Sequence, residues 1–133
     1  MNRHFLFLLA VALLLPGCKT FEQGLMEQGY RRLQGEELIR TFVGNTDYTS
    51  SGEYWYYRED GKISGTSKSG RSIDGKWKVN EGGTICIDWN DQYLPSGCSK
   101  YFVNDETGEV VWLEPDGQNS RANIQPGNPR NFR

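Results

Sequence analysis

Residues 75–98 read GKWKVNEGGTICIDWNDQYLPSGC, a β-hairpin with a trailing loop written into one segment. Trp77 and Val79 alternate with Lys76 and Lys78, the period-2 pattern of a strand with one face buried. Glu81-Gly82-Gly83 supplies the positive backbone angles of a short turn. The chain returns as Thr84-Ile85-Cys86-Ile87-Asp88-Trp89, with Ile85, Ile87 and Trp89 on one face and Thr84, Cys86 and Asp88 on the other. Cys98 then falls within reach of Cys86 across the following loop.

Outward from this hairpin the chain reads as short strands and turns. Glu53 to Arg58 is a strand broken by Glu59-Asp60-Gly61, and Lys62 to Lys68 is a polar strand ended by glycine and serine. After the hairpin come Lys100 to Asn104, Glu109 to Glu114, the turn Pro115-Asp116-Gly117 and a last strand, Ser120 to Gln125. Upstream, the segment from Gly35 to Thr46 has two acids in its first turn and Leu38, Ile39, Phe42 and Val43 at helical spacing. Gly44-Asn45 closes it. This predicts a short amphipathic helix that plugs a barrel.

Frequent glycine, many aromatic rings and little helical periodicity favour an all-β class. The expected fold is a mainly antiparallel meander of six to eight strands, closed or nearly closed into a small β-barrel, with one short N-terminal helix. Residues 18–34 carry scattered charge and two glycines and are expected to be a tether. The domain is expected to run over 35–129, with 130–133 a loose tail.

Residues 1–17 have a basic start at Arg3 and an apolar run from Phe5 to Leu15, too short to span a bilayer comfortably and composed like a secretory signal. The run ends in Leu15-Pro16-Gly17-Cys18, which resembles a bacterial lipobox cut before an acylated cysteine. Proline at the minus-two position departs from the usual alanine or serine. The resemblance implies lipidation, with palmitate among the chains, at Cys18. Each buried methylene contributes about 0.8 kcal/mol, so two or more chains hold a protein stably on a membrane. Lys19 stands where an aspartate would signal inner-membrane retention. The expected location is therefore the outer membrane, on the periplasmic side, with the inner membrane second.

In such an exported chain, Cys86 and Cys98 are expected to form a disulfide. It would close a loop of about a dozen residues and contribute roughly 3 kcal/mol. The spacing is not that of a redox Cys-x-x-Cys pair, and no histidine or further cysteine is at hand for a metal site.

A formal net charge of −2 offers no electrostatic argument for nucleic acid. The one histidine, His4, would leave with the signal, removing histidine from catalysis, metal ligation and pH switching. No metalloprotease helix, serine elbow or phosphate-binding glycine loop occurs. Asp88 and Asp91 flank Trp89-Asn90, a pairing that suggests glycoside hydrolysis but needs only turn chemistry to explain it, as do Asp47, Asp60, Asp74 and Asp116 in or near turns. No enzyme activity, cofactor or metal is expected.

Tyr54-Trp55-Tyr56-Tyr57 puts rings on both faces of one strand. Trp55, Trp77, Trp89 and Trp112 are expected in the core. Tyr54, Tyr56 and Tyr93 are the candidate binding surface for a sugar or a protein, or else plain cross-strand packing.

The order Glu37-Leu38, Gly44-Asn45-Thr46, Asp60-Gly61, Gly75-Lys76-Trp77, Ile85-Cys86-Ile87-Asp88-Trp89, Cys98, Pro115-Asp116-Gly117 and Gly127-Asn128-Pro129 resembles a family of small secreted proteins of unknown function from alphaproteobacteria. That resemblance implies export and a small β-rich domain, and assigns no active residues. The expected function is that of a lipid-anchored envelope protein, a non-catalytic binding or structural module with an envelope protein or peptidoglycan as partner. An envelope lysozyme inhibitor and a lipocalin-like carrier are the alternatives. Four tryptophans in so small a barrel argue for a filled interior; a pocket of roughly several hundred cubic ångströms would favour the carrier.

Overall fold

The computed structural model describes residues 17–133, so the signal-peptide reading lies almost wholly outside the described residues. Two helices and nine strands follow in order. The first four elements are α1 (Phe21–Glu27), β1 (Tyr30–Arg32), α2 (Gly35–Phe42) and β2 (Thr46–Thr49). The next four are β3 (Tyr54–Tyr57), β4 (Lys62–Thr66), β5 (Ser72–Val79) and β6 (Ile85–Trp89). The last three are β7 (Gly97–Asn104), β8 (Glu109–Leu113) and β9 (Asn119–Gln125). Strands β2 to β9 each pair with the next, antiparallel, and β9 pairs with β2. The result is a closed eight-stranded meander barrel, the expected class, and closure removes the exposed sheet edges. The short β1 adds to β7 beyond the point where β6 leaves it.

Alternation sets the inside. Trp55 and Tyr57, Ile63, Ile73, Ile85 and Tyr101 face inward and are buried. Trp55 lies opposite Gly65, and Trp89 opposite Gly75. A Cβ on Gly65 would stand 1.9 Å from the Tyr54 carbonyl oxygen and 2.5 Å from the Trp55 ring. One on Gly75 would stand 2.5 Å from the Asp88 carbonyl oxygen. Glycine at both places lets the two indoles meet across β4 and β5, with ring centres 4.7 Å apart.

One end of the barrel is shut. Helix α2 inserts Leu38 and Phe42, both buried, and the Phe42 ring sits 5.0 Å from Tyr57 and 4.8 Å from Tyr101. This is the plug expected from the helical spacing. Gly44, at φ 72°, lets the chain turn out of the helix, and its N–H donates to the Tyr57 carbonyl at 2.7 Å. On the same end Arg32 Nη2 donates to the carbonyls of Gly82 and Gly83 at 3.0 and 3.2 Å, holding the β5–β6 turn against β1.

Two expectations need correction. Residues 18–34 are not a tether throughout. Thr20 and Gln23 form a reciprocal capping box that starts α1. Leu25 and Tyr30 then bury against Phe102 and Val111 on the outer wall of β7 and β8, forming a second small core. Among the described residues α1 thus stands as a second short helix ahead of α2. The tail is not loose either: the Arg130 guanidinium lies 3.5 Å over the Tyr54 ring, and Ser64 Oγ donates to the Arg133 carbonyl at 2.8 Å. Asn128 closes the segment by bonding Phe132 in both directions.

Candidate functional site

The opposite end is open, and there the barrel is hollow. A cavity of about 390 Å³ enters between the β6–β7 loop and the β8–β9 turn, within the range of roughly 300–1,000 Å³ for small-molecule sites. The filled interior expected from the tryptophan count is thus found only at the plugged end. Trp55, Trp89 and Trp112 wall the cavity, with Ile85 and Ile87 between them. Trp89 and Trp112 are half-buried rather than core, because their rings pack on one side and face the cavity on the other.

Asp47, Tyr57 and Tyr101 also line the cavity, deep in the barrel. The Tyr57 hydroxyl donates to Asp47 Oδ2 at 2.9 Å. Asp47 is 1% exposed, and its Oδ1 has no hydrogen-bond partner in the protein. Burial pushes its carboxyl up to about 8; the Tyr57 bond opposes that shift and Glu53 adds to it. Burial also pushes the Tyr57 and Tyr101 hydroxyls upward, with the nearby Asp47 adding to both.

Glu53, Glu114 and Asp116 complete the charged lining. Burial raises the Glu114 carboxyl, and Asp116 beside it raises it further. Glu53 Oε2 accepts from the hydroxyls of Ser51 and Thr49 at 3.1 and 3.3 Å. No lysine or arginine lines the cavity among the described residues.

The lip over the mouth is held by ordinary turn chemistry. Ser96 Oγ donates to Asp88 at 3.0 Å and accepts the Trp89 N–H at 3.0 Å. Asp91 pairs with Arg71 and accepts the Tyr93 N–H at 2.8 Å, which keeps its carboxyl below the usual range, the Tyr93 bond first. Cys86 and Cys98 are bonded, directly opposite each other on β6 and β7. A more open depression of about 620 Å³ lies beside the disulfide on the outer wall, flanked by Lys76 and Lys78.

The predicted binding tyrosines do not form one surface. Tyr54 is on the outer wall of β3, stacked on Tyr48 at 4.5 Å and covered by Arg130. Tyr56 is half-buried on the same wall, opposite Thr46 and Ser64. Tyr93 alone stands free, 76% exposed at the tip of the mouth loop. Cys18 is exposed, two residues ahead of the α1 cap.

Asp47 escaped the sequence reading because aspartate beside Asn45 and Thr46 looks like turn chemistry. The signal that could have found it is Thr-Asp-Tyr-Thr, two threonines and a tyrosine of high β-propensity around one acid. Compared with family models, curated proteins and solved structures, the chain finds no match in any of the three.

Proposed function

We propose that the chain is a lipid-anchored protein of the bacterial envelope whose barrel is a non-catalytic module binding a small ligand in its open end. The carrying observation is a hollow, aromatic-walled end with a buried carboxylate oxygen that no protein group satisfies. Such an atom is costly unless something completes it.

The anchor reading rests on the lipobox-like sequence ending at Cys18. Thr20 and Phe21 run beside Pro115 and Gly117 at the mouth end. Cys18 lies two residues before Thr20, about 7 Å of extended chain, so a membrane-held Cys18 tethers the barrel from this side. The outer membrane, facing the periplasm, is the proposed site.

Mass spectrometry of the organic extract from gently purified protein tests the binding reading. A stoichiometric small molecule is expected from the natural chain. It should be lost from Ser120→Trp, which fills the open end from β9. Equal extracts from both proteins would overturn the reading. For the anchor, Cys18→Ala should abolish acyl mass and membrane partition, and an unchanged membrane fraction would refute it.

A further inference from the structure

We infer that the ligand of this cavity is a small organic amine, with N–H on a positively charged nitrogen and an aromatic or aliphatic body. The inference rests on the reading of the open end as a ligand site. Asp47 Oδ1 is the unpartnered atom, and Tyr57 already donates to Oδ2. Once Asp47 gives up its proton, the free position on the carboxylate accepts and cannot donate. A protonated nitrogen completes it with a charge-assisted bond.

The walls point the same way. Trp55, Trp89 and Trp112 line the cavity, and the face of an indole carries a negative quadrupole that attracts cations. Glu53, Glu114 and Asp116 add negative charge toward the mouth, and among the described residues no lysine or arginine in the lining offsets it. An anionic ligand is repelled by this set. A neutral one forgoes the aromatic and acidic attraction. A quaternary ammonium satisfies the rings but leaves Oδ1 without a hydrogen. The cavity volume of about 390 Å³ sets a small body.

Proton linkage follows from the floor. Below about pH 8 Asp47 holds a proton, which amine binding must expel, so affinity rises as pH climbs toward that value. The other titratable groups facing the cavity are Glu53 from the β2–β3 turn, Tyr57 from β3, Tyr101 from β7, and Glu114 and Asp116 from the β8–β9 turn. Both tyrosines are pushed upward and stay neutral through this range.

The test is tryptophan fluorescence of the mature chain in uncharged phosphatidylcholine nanodiscs, titrated with phenethylamine, phenethyl alcohol, phenylacetate and phenethyltrimethylammonium. Phenethylamine is expected to bind at least about tenfold more tightly than the other three. Its affinity should rise from pH 6 to about 8, and Asp47→Asn should lose both the preference and the pH dependence. Equal or tighter binding of the alcohol, the acid or the quaternary ion overturns the amine inference while leaving a ligand-binding barrel. No response to any of the four overturns the binding reading itself. If Asp47→Asn does not fold, Glu114→Gln replaces it, with a loss of about threefold for the amine and none for the alcohol. Equal losses for both would also overturn the inference.

Discussion

The two ends of this barrel use similar residues and come to opposite outcomes. At the closed end Phe42 from α2 meets Tyr101 edge to face and Tyr57 at a tilt, and Leu38 completes the seal. At the open end Trp55, Trp89 and Trp112 have no helix to meet, and a cavity is left between them. Aromatic content alone therefore says little about whether a small barrel is filled. What matters is whether another element supplies the opposing apolar surface. Each end leaves a buried polar atom without a protein partner, Arg32 Nε at the closed end and Asp47 Oδ1 beneath the open one, and the second belongs to a residue that lines the cavity.

The comparison breaks first at Phe42. Phe42→Ala removes a fully buried ring from the plug and is expected to cost about 3–5 kcal/mol, read as a large loss in denaturant midpoint. A loss under about 1 kcal/mol would mean that the closed end is no more packed than the open one. Next is the disulfide, which closes the loop carrying the mouth lip. Replacing Cys86 and Cys98 together with alanine should cost roughly 3 kcal/mol. Amide exchange should quicken over residues 90–96 while α2 stays protected. Uniform quickening at both ends would contradict the separation.

A smaller effect is expected at Trp112, whose ring is half-buried at the cavity wall. Trp112→Ala should lose about 1–2 kcal/mol of stability yet abolish the fluorescence response to phenethylamine. A loss as large as that of Phe42→Ala would show the open end to be core. Least of all is Arg130→Ala, which uncovers Tyr54 on the outer wall. It should cost less than about 1 kcal/mol and leave ligand response unchanged. Altered binding there would move the site from the mouth to the outer wall.

These differences were unequally visible in the sequence. The β5–β6 hairpin was legible because burial alternates along β5 and glycines mark its turn. The α2 plug was legible from Leu38 and Phe42, four residues apart on one helix face. Helix α1 and β1 were not, because their buried residues are few. Leu25 and Tyr30 stand in separate local structures among charges, and only the outer wall of β7 and β8 unites them. The tail was illegible for the same reason, since its partners, Tyr54 and Ser64, lie far away in sequence. The cavity could not be read at all, because a tryptophan that lines a space and one that fills it share one local pattern.

Asp47 carries the contrast between the ends, and its titration is the most direct measurement. In the fold its carboxyl is pushed up to about 8 from an ordinary value of 3.8. The folded state therefore holds a proton that the unfolded chain has released between those values, and stability falls as pH rises through that window. Asp47→Asn keeps the shape and an acceptor for Tyr57 but cannot ionise. Denaturant unfolding of both proteins from pH 4 to 9 subtracts every other group. The account predicts that the variant's advantage widens from about pH 4, by at most roughly 1.4 kcal/mol per pH unit, and levels off above about 8. Parallel curves, with a constant difference across the range, would contradict a buried carboxylate in deficit beneath the open end.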